Sequence, residues 1–241
     1  MKMQTEDRPL ISVLIPTYME RENIASLFNS ISNGLSGENY EIVVIDDNSP
    51  DGTADEVRRL SPNYGNIKLL VRPEKLGLGS AYKNGSRISS GDFIVSMDAD
   101  LSHTPEDIPR LLKGLNSADI AIGSRYIKGG NIIGWSLHRS LISYVANLLA
   151  RLLLELKVKD VTSGFRVYRK KAFEEIVKIS NLNDYDFQIE ALYIAKKLGF
   201  KVEEIPITFT DRKWGESKLG NKEIVKFSKS MFSMIFRRFE L

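Results

Sequence analysis

The sequence predicts an α/β protein built on a mostly parallel sheet flanked by helices, and three observations predict it. Short apolar runs at 11–15, 41–45, 68–71, 93–97 and 120–122 alternate with helical periodicity at 20–32, 53–60, 80–89 and 105–115, the pattern of successive βαβ units. The run after Gly91 (Phe93, Ile94, Val95, Met97) has the composition of a strand covered on both faces. Three of the five runs, the first, second and fourth, end in polar, carboxylate-rich turns.

Taken in order, the first run ends in Pro16-Thr-Tyr-Met-Glu20 and the second in Asp46-Asp-Asn-Ser-Pro-Asp-Gly-Thr53. The Asn48–Gly52 part of the latter also reads as an ordinary turn that caps the following helix. Gly77-Leu-Gly79 precedes the 80–89 helix, where it serves either close approach to a ligand or helix capping. The fourth run leads into Asp98-Ala-Asp-Leu-Ser-His103. In an open α/β sheet, ligands sit beyond the carboxyl ends of the strands. Asp98 and Asp100 are therefore open to two readings: solvated strand-end carboxylates, or a pair of hard oxygen ligands for Mg²⁺ or Mn²⁺ shared with substrate phosphates. Thr104, Pro105 and the acids Glu106 and Asp107 mark the start of the 105–115 helix. If the three turns are neighbours on one sheet edge, they form a crevice suited to a nucleotide.

Beyond Arg125 the alternation stops. Residues 140–156 place Leu141, Val145, Leu148, Leu152 and Leu156 on one stripe, broadened by Ile142, Leu149 and Leu153. The stripe reads as a core helix, and is wide enough for part of it to lie against lipid. Residues 221–239 carry Ile224, Phe227, Met231 and Ile235 on one face, with Lys222, Lys226, Lys229 and Arg237 mostly elsewhere. That pattern suits either an interfacial helix drawn to anionic headgroups or a packed helix with a solvated basic face.

Composition narrows the function classes. The 241 residues, 42% hydrophobic, suffice for one sizeable core. The absence of cysteine rules out disulfides and thiolate zinc sites. A net charge of +3 is too small to imply nucleic acid, although residues 212–241 carry eight Lys or Arg against three Glu. The polar residues 1–9 do not read as a signal peptide, and no apolar run is long enough to span a bilayer. Neither a P-loop nor a Gly-x-Gly-x-x-Gly after the first strand is present. His103 and His138, the only histidines, are assigned no proton-transfer role.

Pro16-Thr-Tyr18, Asp46–Thr53, Lys75-Leu-Gly-Leu-Gly79 and Asp98–His103 together resemble family 2 glycosyltransferases, in their dolichyl-phosphate mannosyltransferase branch. The likeness continues through Gly123-Ser-Arg-Tyr126, Thr162-Ser-Gly-Phe-Arg166, Phe187-Gln-Ile-Glu190 and Asp211-Arg-Lys-Trp-Gly-Glu-Ser-Lys218. It implies a GT-A catalytic domain over 1–220, followed by a C-terminal amphipathic helix over 221–241. The implied activity moves mannose from GDP-mannose to dolichyl or polyprenyl phosphate, with inversion, at the cytoplasmic face of a membrane. Membrane-anchoring subunits are implied as candidate partners. The resemblance gives donor-binding roles to Pro16, Tyr18, Glu20, Asp46, Asp47, Lys75, Gly79, Ser143 and Lys218, and metal-binding roles to Asp98, Asp100 and Ser102. Arg125, Arg139 and Arg212 resemble the residues that hold the acceptor phosphate and close the site, a task suited to the guanidinium fork. Two alternatives remain: a UDP-glucose-dependent transferase with the same acceptor, and a non-catalytic nucleotide-binding subunit.

Overall fold

The structure, a computed structural model, describes residues 8–184 and 186–211. In chain order the elements are β1 (Leu10–Thr17), α1 (Arg21–Gly34), β2 (Asn39–Asp46), α2 (Thr53–Leu60), β3 (Ile67–Val71), α3 (Leu78–Ile88), β4 (Phe93–Ser96), α4 (Ile108–Gly114), β5 (Ile120–Ser124) and β6 (Asn131–Ile133). They continue through α5 (Leu137–Leu154), β7 (Arg166–Arg169), α6 (Lys170–Ile179), α7 (Phe187–Lys197), β8 (Val202–Pro206) and β9 (Thr208–Thr210). The main sheet has the order β3-β2-β1-β4-β7-β5-β8, and β6 and β9 form a small parallel pair. β7 alone runs against its neighbours in the main sheet.

The expected strands of the first half are all present, and its expected helices too except that the 105–115 helix is divided. Their runs are apolar throughout because helices cover both faces of the sheet. Val13, Ile15, Ile42, Val44 and Val95 pack with Ile24, Leu27 and Phe28 of α1 and Ile108 and Leu111 of α4. The alternate positions Leu14, Val43, Ile45 and Ile94 pack with Tyr82 of α3, Phe173 of α6 and Phe187 of α7. This is the two-residue side-chain period of a strand, expressed in two separate cores.

Three expectations need correction. Residues 105–115 do not form one helix: Pro105–Asp107 is a 3₁₀ turn and α4 begins at Ile108, with Pro109 in its first turn, where a missing N–H costs least. Thr104 makes no side-chain cap bond there. The 140–156 stripe is not a core helix. Only Asn147, Ala150 and Leu154 of α5 are buried, while Leu137, Leu141, Tyr144, Leu149 and Leu152 are exposed. The helix starts at Leu137, where the Ser136 hydroxyl oxygen accepts from the Arg139 N–H at 3.3 Å. The boundary at 220, the helix expected over 221–239, Arg212 and Lys218 lie outside the described residues.

Candidate active site

The strand order puts the carboxyl ends of β2, β1 and β4 side by side and parallel, so the three polar turns share one edge. At the end of β1, the Thr17 hydroxyl donates to Asp46 Oδ1 at 2.9 Å. Ser49 donates to the same carboxylate through its N–H (2.9 Å) and its hydroxyl (2.6 Å). Asp46 thereby holds the loop together. Asp47 forms a buried ion pair with Arg72, whose Nε donates to Oδ1 at 2.5 Å. Burial pushes the Asp47 carboxyl up, and Arg72 offsets only part of that. The Lys75 ammonium lies 4.2 Å from the centre of the Tyr18 ring. Glu20 accepts from Asn23 at 2.7 Å, and Pro16 pairs with Ile45 near the end of β1.

Gly79, expected on the donor side, stands in the first turn of α3. A Cβ there would stand 2.7 Å from Phe187 Cβ and 2.8 Å from the Leu182 carbonyl, so the glycine lets α3 pack against the start of α7. The side-chain direction of Gly79 is filled by protein, while its backbone N–H belongs to the first turn of α3.

Beyond β4 the chain turns sharply, with Leu101 at φ 60°, in the left-handed region. Asp98 is half-buried and Asp100 is buried. The Ser102 N–H donates to Asp100 Oδ1 at 3.1 Å, and the Ser102 hydroxyl donates to the same oxygen. His103 Nδ1 accepts the Asp98 N–H at 3.3 Å, while its ring stacks on Phe165 and meets the edge of Phe209. Burial lowers the His103 pKa to about 4, the nearby Arg125 adding to the effect and Asp100 opposing it. The ring is therefore neutral and able to accept that bond. Among the described residues no group of three or more His, Asp or Glu is placed to hold a metal ion. Two carboxylates do fit a hard dication that takes its remaining ligands from phosphate oxygens and water.

The opposite wall is built on β5, α5 and the 160–166 segment. Arg125 is buried and forks onto Asp160, with Nε to Oδ2 and Nη2 to Oδ1 both at 2.7 Å. The Arg125 N–H adds a third bond at 2.9 Å. Burial pushes the Asp160 carboxyl up, but Arg125 outweighs it and holds the group below the usual range. Asp98 also acts electrostatically on Arg125, which links the two walls. Arg139 pairs with Asp211 at 2.9 Å and lies over the Trp135 ring, 4.3 Å from its centre. Trp135 in turn meets the edge of Phe209. Ser143, expected to bind the donor, accepts from the Tyr126 hydroxyl at 2.8 Å, beside Arg125. Asn147 of α5 accepts the Val161 N–H at 2.8 Å and donates to Thr162 at 3.1 Å, tying the helix to the 160–166 segment.

Asp160, Trp135, Asn147 and Phe209 escaped the sequence reading. Asp160 stands two residues before Thr162-Ser-Gly-Phe-Arg166, and a carboxylate beside an otherwise buried Arg is the signal that could have found it. The aromatic residues and Asn147 offer no comparable signal.

Residues 12–177 match the glycosyl transferase family 2 profile. The chain is 44% identical over 228 residues to a dolichol-phosphate mannosyltransferase of Pyrococcus furiosus, covering 93% of this chain and 63% of that protein. It is 40% identical to a polyprenol monophosphomannose synthase of Mycolicibacterium smegmatis, covering 88% of this chain and 82% of that protein. The fold is similar to that of glucosyl-3-phosphoglycerate synthase from Mycobacterium tuberculosis, solved with Mn²⁺, UDP and glucosyl-3-phosphoglycerate, with a TM-score of 0.68, 20% identity and coverage of 96% of this chain and 80% of that one. With its GT-A-like sheet, its carboxylate turn at the end of β4 and a match running from β1 into α6, the chain belongs to glycosyl transferase family 2.

Proposed function

We propose that the chain transfers mannose from GDP-mannose to a polyprenyl or dolichyl phosphate, with inversion at the anomeric carbon. The observation that carries this reading is the juxtaposition of carboxylates and arginines near the carboxyl edge of the sheet, with Arg125 under the influence of Asp98 and sharing the Trp135 ring with Arg139. Asp98 and Asp100 supply the carboxylates, and Arg125 and Arg139 stand beside a helix whose apolar residues face outward. The names of the Pyrococcus and Mycolicibacterium relatives support mannose as the sugar and a polyprenol phosphate as the acceptor.

In this reading Pro16, Tyr18, Glu20 and Asp47 hold the nucleoside, and Lys75 lies toward the diphosphate. Asp46 keeps their loop in shape. Asp98 and Asp100 hold Mg²⁺ or Mn²⁺, which when bound neutralises the leaving diphosphate. Ser102 serves by fixing the rotation of Asp100 rather than as a ligand. Arg125 and Arg139 orient the acceptor phosphate; Arg212, expected with them, and Lys218, expected with the donor, lie outside the described residues. A phosphate monoester is already largely dianionic near neutral pH, so it attacks without a general base. Catalysis then consists of alignment and charge stabilisation. His103, neutral and bonded to the Asp98 N–H, supports the turn.

The exposed apolar residues of α5 suit a lipid tail or a membrane surface, and no helix among the described residues is long and apolar enough to cross a membrane. A peripheral position at the cytoplasmic membrane face, with the 221–241 segment as a second contact and membrane-anchoring subunits as partners, accords with this.

The test is a donor screen of GDP-mannose, GDP-glucose and UDP-glucose with a short polyprenyl phosphate and either cation. The expected product is the β-linked mannosyl lipid phosphate from GDP-mannose. A preference for UDP-glucose would overturn the sugar assignment, and an α-linked product would overturn the single displacement.

A further inference from the structure

Phe187–Glu190, one of the segments singled out in the sequence, has no part in the reading above, and the structure brings it against Thr162–Arg166 near Asp98. Arg166 is wholly buried. Its guanidinium donates to the carbonyls of Ser163 (2.8 Å), Val161 (3.0 Å) and Gln188 (2.8 Å). Ser96, the last residue of β4, donates its hydroxyl to the Gly164 carbonyl at 2.8 Å. The 161–164 turn and the first turn of α7 are thus fastened near the end of the strand that leads to Asp98.

Against this rigid backing, the Gln188 side chain is anomalous. The residue is 3% exposed, yet neither its amide oxygen nor its amide nitrogen has a hydrogen-bond partner. Buried amides without partners are costly and uncommon, and one that persists calls for a reason. Gly164 indicates it. A Cβ added at that glycine would lie 3.5 Å from Gln188 Nε2 and 3.6 Å from both carboxylate oxygens of Asp98, with no other heavy atom nearer. The space beside the Gly164 Cα is thus bordered by both the Gln188 amide nitrogen and the Asp98 carboxylate.

We propose that Gln188 is a positioning residue for Asp98. In the metal-loaded protein its amide N–H donates to one carboxylate oxygen, fixing the rotation of the group while the other oxygen meets the cation. Ser102 does the same for Asp100 within the turn. The proposal rests on the assignment of Asp98 to the cation. It adds that the Thr162–Arg166 and Phe187–Glu190 segments serve that carboxylate, through Gly164 and Gln188. Partners of this kind around a ligand typically change metal affinity by about 10- to 100-fold.

The experiment titrates Mn²⁺ into the full chain with GDP present, by calorimetry, and records thermal melting alongside. Gln188→Leu keeps the volume and removes the donor. It should weaken Mn²⁺ at least about tenfold while leaving the melting temperature unchanged or raised, because an unpartnered amide is removed from the interior. Gly164→Ala is the second arm. Its methyl meets nothing closer than 3.5 Å, so it should fold normally, but it occupies the space bordered by both the amide and Asp98 and should also weaken Mn²⁺. Unchanged affinity in folded Gln188→Leu overturns the proposal, as does a lowered melting temperature with normal affinity, the signature of a packing role. If that variant does not melt cooperatively, Gly164→Ala decides by the same affinity criterion. Asp98→Ala separates the two levels. Should it bind Mn²⁺ like the parent, the metal assignment fails and this proposal with it. Should it lose Mn²⁺ while Gln188→Leu does not, the role of Gln188 alone is wrong.

Discussion

Asp98 and Asp100 differ in how much structure hangs on them, and their substitutions should differ accordingly. Asp100 accepts the N–H and hydroxyl of Ser102, both buried, so Asp100→Ala orphans two donors and should cost roughly 1–3 kcal/mol. Asp98, half-buried at the mouth of the turn, should cost less. Both should abolish cation-dependent turnover while retaining the fold. Thermal melts beside a transfer assay check this, and near-normal turnover in either folded variant would sink the metal reading. The arginines divide in the same way. Arg125 is buried and forked onto Asp160, so Arg125→Ala strands a buried carboxylate and should cost about 3–5 kcal/mol. Arg139, partly exposed and paired with Asp211, should cost less than about 1 kcal/mol in Arg139→Ala. Arg139→Ala is therefore the cleaner probe. Titrated with nucleotide sugar and with lipid phosphate separately, it should weaken only the second. A fall in donor affinity alone would return Arg139 to the nucleotide side.

At the scale of elements, α5 shows what a sequence pattern does and does not determine. The apolar stripe was legible, because Leu141, Val145, Leu148 and Leu152 recur at helical spacing. Which side it faces was not, because burial depends on where the helix docks. Here the docking is largely polar: Asn147 holds α5 to the Val161 N–H and the Thr162 hydroxyl and Ser143 to Tyr126, only Ala150 and Leu154 reach the core, and the other leucines are left outward. The strand ends were legible for the opposite reason, since alternation of runs and turns fixes a parallel sheet and its carboxyl edge. β7 was illegible: it is four residues long and Arg stands at both ends. A buried Arg166 satisfied by backbone carbonyls leaves no trace in hydropathy. The outward leucines make a prediction for the element. The double variant Leu141→Glu and Leu152→Glu should melt like the parent, because both residues are exposed, yet lose most of its co-sedimentation with anionic vesicles. Each leucine inserted in lipid contributes up to about 1.5–3 kcal/mol. Unchanged sedimentation would move the membrane contact away from α5.

Across the whole molecule, the two edges of the sheet carry different burdens. The carboxyl edge gathers the strained Leu101, the orphaned Gln188 amide and the paired charges of the cleft, features that serve a ligand better than stability. The amino edge is knitted for stability, and Glu41 is its centre. Its carboxylate accepts from the Ser12 hydroxyl at 2.6 Å and the Ser90 N–H at 2.7 Å, and pairs with Lys68 at 2.8 Å. One side chain on β2 thus joins β1, β3 and the turn leading to β4. Burial pushes the Glu41 carboxyl up, but Lys68, Ser12 and Ser90 together outweigh it and hold the group below its ordinary value of 4.5. A carboxyl held low in the folded state contributes stability that is fully present above the unfolded value and is lost as pH falls through the folded one. The parent should therefore lose part of its thermal stability below about pH 4.5, where Glu41→Gln, with no charge to protonate, should lose less. At pH 7 the variant should be less stable by roughly 1–3 kcal/mol, because a charge-assisted set of bonds becomes a neutral one. Melting curves of the two proteins from neutral to acid pH should converge as Glu41 protonates. Parallel curves would mean that Glu41 is not held low and that the acid sensitivity of the fold arises elsewhere.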